Sequence, residues 1–174
     1  MFSIRVYGIL INDKRQVLVS DEYIRGGYYT KFPGGGLEFG EGTRDCLKRE
    51  FKEEMDLNVE VGEHLYTTDF FQMSAFNPKY QILSIYYSVN ALEEIKAPLR
   101  TKPFDFDERE MKIYEEKKET ETFRFIDWDD FSSAAVTYFC SSCTGASLPG
   151  STASREPRAR GFPRSARGNS VASG

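Results

Sequence analysis

Glu50, Glu53 and Glu54 lie three and four residues apart in a run of good helix formers that spans residues 43 to about 55. At about 100° per residue, a helix there places Glu54 some 40° and Glu53 some 300° from Glu50, so the three carboxylates share a sector of roughly 100°. Leu47, Phe51 and Met55 fall at roughly 60° to 140° on the same wheel, so the acidic stripe borders the apolar one. Carboxylates at the edge of a core can face a cleft instead of open water. Like charges at these spacings repel and weaken a helix unless a cation offsets them. Carboxylate oxygens, completed by water and substrate phosphates, are the ligands that Mg²⁺ or Mn²⁺ prefers. The ordinary reading of an acidic helix face is a solvated surface. Here Gly34-Gly35-Gly36 just upstream can bring backbone groups close to a ligand and offer a carbonyl to the same ion. The only histidine, His64, lies elsewhere, as suits an all-oxygen site.

A strand must deliver the glycines and a helix must display the glutamates. Residues 28–32 have strand propensity and run into Pro33 and the glycines, which form a loop. Thr43 is the expected N-cap of the helix. Upstream, Phe2, Ile4, Val6 and Leu10 recur with period two while Ile9 and Ile11 fill the other face, predicting a strand buried on both sides. Asn12-Asp13-Lys14 supplies turn chemistry, and residues 16–19 read as the returning strand. Further strands are expected at 57–61 and within 65–71, 80–89 and 122–128. Residues 93–121, crowded with charge and broken by Pro98 and Pro103, read as a long mobile surface insertion with a short helix around 107–117. Strands around one strong helix point to an α/β or α+β sandwich.

At 174 residues, 40% of them hydrophobic, the chain suits one globular domain with a tail. The net charge of −4 hides a split. Residues 133–174 carry five arginines, no lysine and one acid, leaving 18 basic and 26 acidic residues in 1–132, a net of −8. Such a body is not expected to coat a nucleic-acid polymer. It suits a phosphate-rich substrate only if some carboxylates hold divalent ions, which invert the local charge. Neither a secretory leader nor a membrane-length apolar run is read, so a cytoplasmic protein without a membrane partner is expected. Three cysteines make no disulfide framework. The expected division is a catalytic domain over 1–133 and a low-complexity basic tail over 134–174. The tail is expected to be disordered, and its abrupt change of composition points to non-native sequence from a frameshift or read-through. Cys140-Ser-Ser-Cys143 within it is weak evidence for metal or redox chemistry.

Taken at fixed spacing, Gly35, Glu41, Arg49-Glu50-Phe51, Glu53-Glu54, Asp56 and Leu57 resemble the Nudix box of the MutT/Nudix hydrolases at every position but one. The departure is Asp56, where that family prefers glycine. The position ends the helix, where a left-handed residue is commonly needed, and Asp tolerates that conformation better than most. The resemblance implies a Nudix-type α/β/α sandwich with a mixed central sheet. It implies that Glu50, Glu53, Glu54 and the Gly34 carbonyl hold divalent metal, Mg²⁺ or alternatively Mn²⁺. Glu50 and Glu53 are then the candidate bases. Arg49 completes the catalytic set by orienting the acids, and Glu41 braces loop and helix. Tyr29, Lys31, Phe32 and Glu121 are the expected substrate contacts, with Tyr28, Phe70, Phe71 and Glu119 as neighbouring candidates. For each aromatic, core packing is the commoner role. The implied reaction is attack of water at phosphorus in a nucleoside diphosphate linked to another group. The partner is then a small-molecule nucleotide, and a homodimer is left open. A different class, a nucleotide-sugar sensor of the same fold, would be expected to have a damaged acidic set, whereas this one is complete. An inert adaptor with a basic arm would depend on the tail.

Overall fold

The structure is a computed structural model that describes residues 1–130; every expectation for 134–174, including the paired cysteines, lies outside the described residues. The strands are β1 (Phe2–Leu10), β2 (Gln16–Ile24), β3 (Gly27–Lys31), β4 (Gly34–Gly36), β5 (Val59–Thr67), β6 (Gln81–Ala91), β7 (Leu99–Arg100) and β8 (Glu119–Asp127). The helices are α1 (Thr43–Met55) and α2 (Glu108–Lys117), and a short 3₁₀ turn covers Trp128–Asp130. They form a mixed α+β fold with two four-stranded sheets, ordered β4-β1-β6-β5 and β3-β2-β8-β7. Each sheet has one parallel pair, β1 with β6 and β7 with β8. The mixed sheet expected from the sequence is therefore two mixed sheets.

The turn after β1 does not close a hairpin. Beyond a single bridge between Ile11 and Val17, β2 leaves β1 and joins the other sheet, pairing with β3 and β8. The reason lies in burial. Val6 and Leu10 of β1 and Leu18 of β2 pack in the same apolar cluster from different sheets, which a flat hairpin could not arrange. Leu47, Phe51 and Met55 of α1 complete this cluster with Leu57, Val59, Val61, Val89 and Phe123. Fully burying side chains such as Leu47 and Phe51 stabilises the fold by about 1.5–3 kcal/mol each, so α1 is fixed by its apolar stripe. Its acidic stripe is then turned to the sheets' edge. Residues 59–61 and 65–67 fall in one strand, with Leu57 and Asn58 left before it, because β5 continues through register shifts flanking His64 that break the alternation.

Gly42 holds the N-cap position of α1 without a side-chain bond, which corrects the expectation for Thr43. Thr43 is the first helical residue, and its hydroxyl pairs with that of Tyr87 at 2.8 Å. At the other end Asp56 is left-handed, with φ 51° and ψ 36°. Its N–H bonds the Lys52 carbonyl at 3.0 Å, that of Leu57 bonds Phe51 at 3.2 Å, and its carboxylate pairs with the Lys52 ammonium. Asp thus supplies the helix stop that glycine usually gives.

The charged insertion contains β7 and α2, the latter where a short helix was expected around 107–117. Asp107 and Glu110 form a reciprocal capping box that starts α2. Arg100 reaches both acids, at 2.7 and 3.0 Å, and bonds Thr122 of β8 at 3.2 Å. Tyr23 of β2 stacks on Tyr114 of α2 at 4.0 Å and on Tyr28 at 4.5 Å. Beneath them the fully buried Asp21 accepts bonds from Thr30, the Phe104 N–H and the Arg124 guanidinium. Arg100 thus ties the start of α2 to β8, the rings tie α2 to β2, and the buried Asp21–Arg124 pair ties β2 to β8. No helix among the described residues is long and apolar enough to cross a membrane.

Candidate active site

The glycines expected as a loop form the short strand β4, which sits where two elements meet closely. Gly34 has φ +129°, and a Cβ there would lie 2.3 Å from the Val6 carbonyl oxygen. A Cβ on Gly35 would lie 2.5–2.6 Å from the carboxylate of Glu50. Absence of side chains lets β4 pair with β1 while α1 packs its acids directly over the turn.

Two cations organise the acids. Arg49 is the first. Its Nη2 donates to Glu41 Oε1 at 2.8 Å and to the Gly36 carbonyl at 3.1 Å, and its Nε to Glu41 Oε2 at 3.1 Å. Its Nη1 donates to Glu50 at 2.9 Å and Glu53 at 3.1 Å. Glu41 also accepts the Glu38 N–H at 2.8 Å. The Arg49 bond first, and that N–H second, pull the Glu41 carboxyl down to about 2. Glu41 is thus the brace between loop and helix, and its contribution to stability has a defined acid limit. A carboxyl with a lowered folded pKa stabilises fully above its ordinary value, 4.5, and loses that contribution as pH falls toward about 2. Glu41→Gln is expected to unfold more readily at neutral pH and to lose less stability on acidification. Thermal unfolding followed from about pH 6 to pH 2 checks this; parallel acid limbs in the two proteins would contradict it.

Lys31 is the second cation. Its ammonium donates to the Gly34 carbonyl at 2.9 Å and pairs with Glu22 at 2.8 Å and Glu54 at 3.8 Å. Burial works against the ammonium, but the charges of Glu54, Glu22 and Glu121 outweigh it and hold Lys31 protonated well beyond its usual range. Burial, only partly opposed by Lys31 and reinforced by Glu121, Glu50 and Glu22, pushes the Glu54 carboxyl well up. Glu121, which accepts a bond from Ser20 at 3.0 Å, is raised for the same reasons. Three half-buried carboxylates, Glu22, Glu54 and Glu121, thus share the one ammonium. One oxygen, Glu54 Oε2, is buried with no hydrogen-bond partner.

Glu22, Glu53, Glu54 and Glu121 line one cleft of about 550 Å³, whose far wall includes Arg109, Ile113 and Lys117 of α2. The structure therefore brings Glu50, Glu53, Glu54, Gly34, Arg49, Lys31 and Glu121 together. Glu121 comes from β8, opposite Glu22 of β2, and not from a loop. Two expected substrate contacts sit elsewhere. Phe32, the first residue past β3, is buried against Tyr7, Val17 and Tyr86. Tyr29 packs edge-on against Phe76 at 5.9 Å and does not line the cleft. Phe70 and Phe71 are exposed between β5 and β6, also outside it. Sequence reasoning missed Glu22, Arg109 and Lys117. An adjacent acid pair, Asp21-Glu22, at the end of an otherwise apolar strand was the available signal for the first.

The donor set suits a hard divalent ion: carboxylates, one backbone carbonyl and a buried carboxylate oxygen lacking a partner. Among the described residues no three His, Cys, Asp or Glu side chains converge as tightly as a bound ion would draw them. Arg49 and Lys31 hold the acids toward two separate points instead. Thiol chemistry is disfavoured here, since burial first and the Glu41 charge second push the Cys46 thiol up to about 12.

A NUDIX domain family model matches residues 1–138. Among solved structures, a MutT NUDIX hydrolase from Burkholderia pseudomallei is similar at 15% identity, with a TM-score of 0.54 over 76% of this chain and 88% of that one. A NUDIX hydrolase from Nitrosomonas europaea is similar at 17% identity, with a TM-score of 0.53 over 74% of each chain. A UDP-X diphosphatase is similar at 17% identity, with a TM-score of 0.51 over 75% of this chain and 53% of that one. No curated protein matches the sequence. These structures share the fold, and the match along most of the sequence decides the family: the chain belongs to the Nudix hydrolases.

Proposed function

We propose that this chain is a divalent-metal-dependent pyrophosphohydrolase that cleaves a phosphoanhydride bond in a nucleoside diphosphate linked to another group. The observation that carries the reading is the cluster of half-buried carboxylates, one with a buried oxygen lacking a partner, beside the Gly34 carbonyl at the floor of an open cleft. Glu50, Glu53, Glu54 and the Gly34 carbonyl would hold the metal, with Mg²⁺ the first choice and Mn²⁺ the alternative. The ion supplies charge neutralisation on the diphosphate and activation of bound water.

The chain's own groups divide the remaining work. Glu53 is the better placed base, since its side chain is 62% exposed at the cleft and tied only to Arg49. Glu50 is locked between Arg49 and Gly35, which suits a fixed ligand. Arg49 positions both acids. Glu121 and Glu22 add negative charge deeper in the cleft, and Arg109 and Lys117 offer positive charge on the wall facing them. A phosphate chain lying between the acidic floor and α2 would meet favourable charge at both sides once metal is present.

The similarity to a UDP-X diphosphatase makes nucleoside diphosphate sugars one arm of the test. A panel of nucleoside triphosphates, ADP-ribose and nucleotide sugars, incubated with and without Mg²⁺, is expected to show at least one member cut only with metal, yielding two phosphorylated products. Survival of the whole panel would overturn the reading. Binding without cleavage would instead favour the sensor.

A further inference from the structure

We infer that the Lys31 ammonium is a built-in counter-cation that holds the Gly34–Glu54 corner of the site together and competes with divalent metal for it. The inference rests on the metal-binding reading above and adds a role for a residue that reading leaves without one. Three observations carry it. The ammonium donates to the Gly34 carbonyl, the same backbone oxygen proposed as a metal ligand, at 2.9 Å. It pairs at the same time with Glu22 at 2.8 Å and lies 3.8 Å from Glu54. Its side chain is only 10% exposed, so this is not a surface lysine resting on a convenient acid.

The competition follows from donor arithmetic and charge. A carbonyl oxygen that accepts a short bond from an ammonium cannot also approach a small dication closely, because the two cations would repel at contact distance. An ion that takes Gly34 and Glu54 must therefore displace Lys31 toward Glu22, which stays in reach as its shortest ion-pair partner. The lysine thereby lowers apparent metal affinity by the fraction of molecules in which it vacates the corner. In return it limits repulsion among Glu22, Glu54 and Glu121 when no ion is bound. Arg49 cannot play this part, since its donors are used by Glu41, Gly36, Glu50 and Glu53.

Mn²⁺ binding to the metal-stripped full chain, read by electron paramagnetic resonance without substrate, tests the inference. Lys31→Met removes the charge at similar length and is expected to lower the Mn²⁺ Kd by about tenfold, as when a competitor leaves the corner vacant in one molecule in ten. The same variant should melt lower than wild type without metal and gain more on adding Mn²⁺. Lys31→Arg keeps a cation there and is expected to stay near the wild-type Kd. Should Lys31→Met fold poorly without metal, Lys31→Gln keeps a donor for Gly34 without charge and should show the same tightening. An unchanged or weaker Mn²⁺ Kd in the neutral variants overturns the inference while leaving the metal site standing. No Mn²⁺ uptake by wild type or variants would overturn both.

Discussion

Replacing Glu53 by Gln is expected to leave the fold intact and to cut turnover by about 10²- to 10⁴-fold, the range for losing a positioned general base. The fold should tolerate the change because the Glu53 side chain is 62% exposed and makes one ion pair, the 3.1 Å contact to Arg49. An exposed pair of this kind contributes little to stability, about 0–1 kcal/mol. Gln keeps the size and one acceptor but loses the charge and basicity that the reaction needs. Glu50→Gln offers a useful contrast. That residue is half-buried between the Arg49 fork and the Gly35 backbone, so its loss should lower both stability and rate. Unfolding curves and steady-state kinetics, measured on the same preparations, separate the two cases. Wild-type rates in Glu53→Gln would remove Glu53 from the mechanism.

Gly34→Ala should be the most damaging glycine-to-alanine change among the described residues, destabilising by about 3–5 kcal/mol. Two costs combine. The residue has φ +129°, outside the range an L-residue adopts without strain, and the new Cβ would sit 2.3 Å from the Val6 carbonyl. That carbonyl belongs to β1, which is paired on both sides by β4 and β6 and cannot retreat alone. β4 would have to move, carrying the Gly34 carbonyl away from Lys31 and Glu54. Gly40→Ala isolates the strain: its φ is +100° and a Cβ there meets nothing within 4 Å. A cost of about 1–2 kcal/mol is expected for it. Urea unfolding of both variants decides, and equal stabilities would show that the close approach at Gly34 does not matter.

The parts of this molecule governed by local pattern were readable from the sequence. α1 begins at Thr43 and ends at Met55 because its apolar stripe, its charged stripe and the stop at Asp56 agree. That Glu50, Glu53 and Glu54 share one helix face followed from the same periodicity, whereas Arg49 was pointed to only by the resemblance. The pairing of strands was less legible. The turn after β1 looks like a hairpin turn, yet the core cluster shared by Val6, Leu10 and Leu18 requires β2 to leave for the second sheet. The charged insertion was legible in its helix but not in its contacts. Its order comes from a few residues, Arg100, Phe104, Asp107 and Tyr114, meeting partners far away in sequence such as Asp21 and Tyr23. Average composition conceals such contacts. The same holds for Glu22 and Glu121, which become neighbours only through the β2–β8 register. Phe32 and Lys31, adjacent in sequence, part company at the end of β3, Lys31 joining the acids and Phe32 the core, which composition alone does not reveal.

The most direct test concerns whether this floor of excess negative charge works through a divalent ion. Protein stripped with chelator, given the best substrate of the nucleotide panel, should be inactive and should recover saturably as Mg²⁺ is added back, with ³¹P spectra showing two phosphorylated products. Undiminished cleavage in chelator, or no cleavage at any Mg²⁺ concentration, would contradict the account.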